Sequence, residues 1–353
     1  MTRPSINRRR FLLAAPPAMA AGGWLLSGTA WGREEDANVT ESSERGVKRG
    51  LAWLKKVFNK DGGCGVDVNQ RSDIGCSGMV GLAMMAHGGT YFDGEHQADL
   101  RSLQRFILNR VENMPPHNIT GETGTQLQNK IGQQAHSFFA ALYLSQSLGQ
   151  QSNPAPVKSA LIKVTDVIVS AQRPDGDWGN ESWAPTLGTV MGWVGLRAAA
   201  SVGMAVGTAP EKTAEHLVKK MSQNLLQSQG WMHELYKNAS GIRVLYDMEM
   251  EENATAKKAF DAVLKFVKND NTPFTQAGGE EFLAFHLITE TMLKRGGQQW
   301  NDWFPVVRDK LIDVQNKDGS WTGHHCITSR TFCTAAAILV LTSPYRYLPI
   351  SQA

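Results

Sequence analysis

Gln315-Asn316-Lys317-Asp318-Gly319-Ser320-Trp321 and Gln172-Arg173-Pro174-Asp175-Gly176-Asp177-Trp178 share one pattern, Gln-x-x-Asp-Gly-x-Trp, at identical spacing. Each follows a stretch of helical periodicity and precedes an apolar stretch rich in small residues. The Asp-Gly pair is a turn signal, because Asp bonds its own backbone and Gly accepts positive φ without a steric cost. The Gln is placed to hydrogen-bond the frayed carbonyls of the preceding helix, and the Trp supplies a broad surface to cover them. A third copy, Phe58 to Cys64, has drifted, with Phe for Gln and Cys for Trp; a fourth, Gln227 to Trp231, is shortened.

The spacing is that of a repeat. The step from Asp61 to Asp175 is about twice that from Asp175 to Gly230, and two shorter steps lead on to Asp318. The missing turns should fall near His117-Asn118 and Asn271-Thr272, where Pro115-Pro116-His117-Asn118 and Asp270-Asn271-Thr272-Pro273 supply turn chemistry. That makes six units.

Within a unit the two helices differ. The first carries one apolar stripe: Val47, Leu51, Leu54 and Phe58; Val157, Leu161, Val164 and Ile168; Ala256, Phe260, Val263 and Val267; Trp300, Phe304, Val307, Leu311 and Val314. The second, as in Met79–Ala86, Phe138–Leu144, Thr189–Ala200, Phe282–Ile288 and Thr334–Leu341, is apolar or small on most faces. A striped helix lies outside a core and an all-round apolar one lies within it. Outer helix, turn, inner helix, six times over, predicts an all-α fold: a single (α/α)6 toroid, a closed double ring of six helical hairpins. The fourth inner helix is expected near Gly241–Glu252, with Asp247, Glu249, Glu251 and Glu252 on it.

The first 32 residues read as a twin-arginine-type signal peptide. Asn7-Arg8-Arg9-Arg10-Phe11-Leu12-Leu13 leads into a weakly apolar run, Ala14 to Ser27, and a small-residue site at Gly28-Thr29-Ala30. Export to the periplasm or beyond is expected. Residues 33–43 are expected to be a flexible leader, 44–345 the toroid and 346–353 a tail. The net charge of +3 includes Arg3, Arg8, Arg9 and Arg10. The mature chain is therefore close to neutral, with no nucleic-acid footprint. No other stretch is long and apolar enough to span a membrane.

The Gln-x-x-Asp-Gly-x-Trp segments resemble the QW repeat of the terpenoid cyclase and protein prenyltransferase superfamily, to which squalene–hopene cyclases and prenyltransferase β subunits belong. The resemblance covers residues 44–345 and implies the toroid; the motif residues Gln172, Asp175, Gly176, Trp178, Gln315, Asp318, Gly319 and Trp321 are structural staples. For chemistry the family's motifs are departed from. Its cyclases use an Asp-rich motif to protonate an alkene, and this chain has no Asp-Asp pair. Its prenyltransferases bind zinc through Asp-x-Cys and a His; the nearest match is Asp73-Ile74-Gly75-Cys76, and the place of the His is taken by Arg330.

Repeat phase aligns Cys76 with Cys333 and puts Cys64 and Cys326 in turn regions of the first and last units, which are neighbours in a closed ring. Three readings are open: seam disulfides such as Cys76 with Cys333 or Cys64 with Cys326, buried free thiols, or a zinc site using Cys76, Cys333 and His324 or His325. The loop Gly323 to Arg330 should lie at the cavity mouth, where His324 and His325 could serve as acid or base and Arg330 as an anion clamp. The plainer reading has the histidines capping helices and Arg330 paired with Asp73. His136 is a catalytic candidate or a satisfied core histidine; Glu280 and Glu281 are a helix cap or a catalytic pair.

Three functions stay open: an enzyme or binding protein for an isoprenoid or other apolar small molecule, a carbohydrate-active (α/α)6 enzyme, or a non-catalytic interaction module. A closed aromatic pocket would favour the first. An open groove with Glu280, Glu281, Asp247 and Arg243 facing one another would favour the second, and a mouth with no cleft the third.

Overall fold

The structure, a computed structural model, describes residues 38–179, 182–224, 232–249 and 254–348. The signal and most of the leader, the shortened copy at Gln227–Trp231, Glu251, Glu252 and the last tail residues lie outside the described residues.

Thr40 opens the first outer helix, α1 (Glu41–Leu54). Its hydroxyl accepts from the Ser43 N–H at 3.1 Å, and the Ser43 hydroxyl accepts from the Thr40 N–H at 3.0 Å. This reciprocal cap satisfies two otherwise orphaned donors. Helix therefore begins inside the stretch expected to be loose leader. A two-stranded antiparallel hairpin, β1 (Cys64–Gly65) and β2 (Ser72–Asp73), leads to the first inner helix, α2 (Ile74–Ala86). The remaining outer helices are α3 (Gln97–Asn113), α6 (Ala155–Ala171), α8 (Ala209–Asn224), α10 (Ala254–Asn269) and α13 (Gly297–Asp313). The remaining inner helices are α5 (Ala135–Ser147), α7 (Pro185–Ser201), α9 (Met232–Asp247), α12 (Gly279–Arg295) and α14 (Arg330–Thr342). Two short helices, α4 (Gln126–Ile131) and α11 (Thr272–Thr275), lie in the connections of the second and fifth units.

The inner helices pack in order, α2 on α5, α5 on α7, α7 on α9, α9 on α12 and α12 on α14, and α14 closes the ring on α2. The fold is the all-α double ring of six hairpins. Every residue of α2 is buried, as is α12 from Gly279 to Leu293. The outer stripes point inward as their periodicity requires, with Val157, Leu161, Val164 and Ile168 each at most 1% exposed. The fourth inner helix begins at Met232, earlier than expected, because its apolar residues Leu235, Tyr236, Ala239, Ile242, Val244 and Leu245 continue well ahead of the acidic run.

The Gln-x-x-Asp-Gly-x-Trp turns divide their work differently from the sequence expectation. The indole takes the preceding helix: Trp178 Nε1 donates to the Ile168 carbonyl and Trp321 Nε1 to the Leu311 carbonyl, both at 2.7 Å. The amide reaches the next unit instead. Gln172 Nε2 donates to the Ala209 carbonyl at 2.9 Å and to Thr213 Oγ1 at 2.7 Å on α8, and Gln315 Nε2 to the Gly46 carbonyl of α1 at 2.8 Å. Gln315 thus joins the sixth unit to the first.

Candidate functional site

The N-terminal ends of the inner helices meet at one end of the ring, and α4 lies across them. Gln126 Nε2 donates to Thr328 Oγ1 at 2.8 Å, and its Oε1 accepts from the Thr328 and Ser329 N–H groups, both at 3.1 Å. The carbonyls of Asn129 and Lys130 accept from the Trp183 and Ala184 N–H groups, both at 2.9 Å. Leu127 sits against Gly75, where an added Cβ would come within 2.2 Å of its Cδ1. Lys130 passes over the Tyr236 ring, 4.9 Å from its centre. The same side chain also pairs with Glu280 of the fifth unit, so a six-residue helix from the second unit touches each of the other five.

Under it lies a buried polar cluster. Glu280 and Glu281, in the first turn of α12, are both fully buried. Lys130 Nζ is 2.8 Å from Glu280 Oε1, an ion pair with side chains 2% and 0% exposed. The His325 ring bridges the two acids, Nδ1 at 3.2 Å from Glu280 Oε1 and Nε2 at 3.3 Å from Glu281 Oε2. Glu281 Oε2 also accepts from the Gly278 N–H at 2.7 Å, so it caps its helix while facing the imidazole. Its other oxygen, Oε1, is buried with no hydrogen-bond partner among the described residues. Close approach makes room for this: Gly279 N–H donates to the Ile327 carbonyl at 2.8 Å, and a Cβ on Gly279 would meet Ile327 Cγ2 at 2.5 Å.

Burial, and then the charge of Glu280, push the Glu281 carboxyl well above the usual range, against the pull of the Gly278 N–H and Lys130. Glu281 is thereby held as the acid. Lys130 loses by burial but gains more from Glu280, and its ammonium is held more firmly than usual. Cys326 Sγ lies 3.4 Å from Lys130 Nζ, on a residue whose φ of +48° is rare without glycine. Burial and then Glu280 raise its thiol, so it stays protonated. Glu280, His325 and Cys326 offer donor atoms within 4.8 Å of one another. Lys130 supplies the positive charge at that place.

The sequence candidates divide. His325 is at the centre of the cluster. His324 beside it is exposed, holding the loop through its N–H to the Ala277 carbonyl at 2.8 Å. Arg330 is not at the mouth: it bonds Asp318 and, at 2.6 Å, Ser320 Oγ, and stacks over Trp53, 4.8 Å from the ring centre. Nor does it pair with Asp73, which caps α2 through the Cys76 N–H at 2.7 Å. Asp73 and His136 are brought together at 3.6 Å, with the His136 ring also held by the Gly75 N–H at 3.3 Å and Thr125 Oγ1 at 3.0 Å. This pair is buried and satisfied, the core-histidine arrangement.

The four cysteines are free thiols. The seam pairs are not formed: Cys76 Sγ faces Ser329 Oγ at 3.5 Å, Cys333 Sγ faces the Ile327 carbonyl at 3.8 Å, and Cys326 turns to Lys130. The zinc set of Cys76, Cys333 and a histidine is not assembled among the described residues: His325 gathers with Glu280 and Cys326, and His324 is exposed. Lys130 and Tyr236 were not legible as site residues. Lys130 lies in a polar connection with no periodicity to mark it, and Tyr236 lies ahead of the stretch expected for the fourth inner helix.

The centre of the ring is filled. The space between Met79, Phe139, Met191, Leu283, His286 and Leu339 holds about 10 Å³, no more than one water. Grooves of about 650 and 500 Å³ lie along α3 on the outside and share no residue with the mouth. The expected hollow centre is corrected by these side chains. The carbohydrate groove is also not assembled. Arg243 pairs with Asp247 at 3.1 Å and Glu290 at 3.2 Å, and Glu290 is about 13 Å along α12 from Glu281.

No family model matches the chain, and no curated protein matches it. Among solved structures it is similar to type II terpene cyclase MstE from Scytonema. A variant of that enzyme in complex with geranylgeranyl dihydroxybenzoate, its substrate, aligns with a TM-score of 0.50 at 13% identity, over 87% of this chain and 98% of that one. A variant with the product merosterolic acid A gives 0.49 at 15% identity, and an apo variant 0.49 at 12%, over the same shares. The likeness at 0.50 shows a shared fold: this chain is built as a terpene cyclase-like helical toroid.

Proposed function

We propose that the chain is an exported enzyme that binds an isoprenoid or similarly apolar molecule at the mouth under α4 and acts on it by proton transfer from Glu281. One observation carries this reading: a fully buried carboxylic acid, Glu281, is joined by a single imidazole to the outside. Lys130 and Glu280 balance one another, and burial and then Glu280 keep the proton on Glu281. With the proton on Glu281, its unpartnered Oε1 is the place from which it can be given up. His325, 26% exposed, can then return a proton from solvent to Oε2 at 3.3 Å. A buried acid reloaded through a histidine is a general-acid device. The shared fold and the apolar inner helices support an apolar partner, and the Arg8–Arg10 pattern supports export. Access requires α4 to lift, since the mouth is covered.

The test is incubation of the purified chain with a panel of polyprenyl alcohols, diphosphates and prenylated phenols. Ligand retention is read by native mass spectrometry and product by gas chromatography. The wild type is expected to retain a ligand and convert it, and Glu281→Gln to retain it without conversion. A wild type that retains and converts none of the panel overturns the reading. The covered mouth favours a second reading, an interaction module, for which that negative result is the expected one.

A further inference from the structure

The third turn carries a cluster that no part of the mouth chemistry uses. Asp175 and Asp177 flank Gly176, and His216 faces them from α8 of the fourth unit. His216 Nδ1 lies 2.9 Å from the Asp175 backbone carbonyl. A carbonyl only accepts, so Nδ1 carries the hydrogen. In the neutral ring Nε2 is then a bare lone pair. It is buried, without a hydrogen-bond partner among the described residues, and 3.8 Å from Asp177 Oδ2. The His216 and Asp177 side chains are 10% and 1% exposed.

Two electron-rich atoms facing each other out of water require a positive charge between them. A proton on Nε2 would draw the pair to the length of a charge-assisted hydrogen bond, about 2.7–2.9 Å. The observed 3.8 Å is too long for that. It is nearer the spacing of two donors sharing one ion, each about 2.0–2.2 Å from it and so roughly 3.3–3.6 Å apart at the tetrahedral angle. One donor atom of Asp175 also lies within 4.8 Å of one from each of the other two. Its Oδ2 is 3.7 Å from His216 Nδ1, so this exposed side chain turns toward Nε2 to complete the set. The Nδ1–H bond to a carbonyl is also the contact that metal-bound histidines use to fix their ring.

The sixth turn gives an internal comparison. There Ser320 stands where the third turn has Asp177, and Arg330 supplies a permanent cation to Asp318. The third turn has one more carboxylate, and among the described residues neither Asp175 nor Asp177 is paired with a lysine or arginine. We propose that Asp175, Asp177 and His216 bind a divalent transition metal of the zinc type, which pins the third turn to the outer helix of the fourth unit. One imidazole nitrogen and two carboxylate oxygens suit zinc better than calcium or magnesium, which take all-oxygen sets. Asp175 is 61% exposed, which leaves the ion an open side toward solvent.

The experiment is zinc titration of the chelator-treated full chain by calorimetry, with metal content read by mass spectrometry. The wild type is expected to bind one zinc ion at this site, and His216→Gln and Asp177→Asn to weaken it at least about tenfold. Asp175→Asn, an exposed change with little bearing on folding, is expected to weaken it as well. His325→Gln, at the mouth, is expected to leave it unchanged. Zinc affinity that survives all three changes at the third turn, or is abolished by His325→Gln alone, overturns the proposal. So does a wild type that binds no zinc.

Discussion

Replacing Lys130 by Met removes the ammonium from the mouth while keeping most of the stem. Nζ is 2.8 Å from Glu280 Oε1, and the two side chains are 2% and 0% exposed, so water cannot take the ammonium's place without opening the lid. Removing one member of such a pair strands a buried charge, and the cost is about 3–5 kcal/mol. For a chain of this size, with a urea dependence of about 3 kcal/mol per molar, that is a midpoint lower by roughly 1–1.7 M. The loss belongs to the stranded carboxylate more than to the pair, so Lys130→Met with Glu280→Gln is expected to recover more than half of it.

The sign of the pH dependence follows from Lys130 itself. Burial lowers its pKa, but Glu280 outweighs burial and raises it. A cation raised in that way contributes stability that is fully present below its unfolded value of about 10.4 and is lost as pH rises through the folded value. The Lys130→Met loss should therefore be complete at pH 8 and fall off only above about pH 10. The assay is urea unfolding of wild type, both single variants and the double variant at pH 8. A Lys130→Met cost under about 1 kcal/mol, or costs that simply add in the double variant, would refute the claim that this pair is desolvated and coupled.

Glu281→Gln removes an acid whose folded-state pKa burial and Glu280 have raised, so it should stabilise the chain at pH 8 relative to pH 5; equal effects at the two, by thermal melts, would count against a protonated Glu281. Burial opposes the ionised form of Asp318, but Ser320 and Arg330 outweigh it and bring the carboxyl down to about 2. Its stabilising share is present above the unfolded value near 3.9 and lost as pH falls through about 2. Arg330→Met should move that titration upward, read by carboxyl NMR, without touching the mouth. Gly188→Ala puts a Cβ 1.9 Å from the Ile131 carbonyl oxygen at the end of α4. Backbone cannot give way as a side chain can, so faster amide exchange over residues 126–131 and quicker labelling of Cys326 by a thiol reagent are expected. Unchanged exchange there would show that α4 is not held at that point.

The ring was legible because its causes are local and repeated. Periodicity set the outer stripes, all-round apolar runs set the inner helices, and two near-identical turns fixed the phase. The role of Gln172 and Gln315 differs from the sequence expectation because their partners lie on the following unit, a relation that no single hairpin reveals. The mouth was only half legible. His325 stood out by its chemistry and by its place after a turn, whereas Glu280 and Glu281 looked like an ordinary helix cap, which Glu281 also is. Lys130 carried no signal at all. Its position follows from how a long connection folds across the ring, and that path is set by contacts with five other units rather than by its own sequence.

That path bears on why charge is buried here. Apolar residues of similar volume at 130 and 280 would serve stability as well or better, since a buried ion pair rarely repays its desolvation. They would also make the lid harder to lift, because every apolar surface exposed on opening costs about 25 cal/mol per Å². Lys130 and Glu280 behave oppositely: on opening, water solvates both and offsets the lost attraction. The remaining anchors of α4 are mostly of the same kind, Gln126 on Thr328 and Ser329 and backbone bonds to Trp183 and Ala184, with Leu127 the chief apolar one. A cover held by bonds that water can replace, over an acid that needs dryness to stay protonated, joins two requirements that an apolar plug could not meet together.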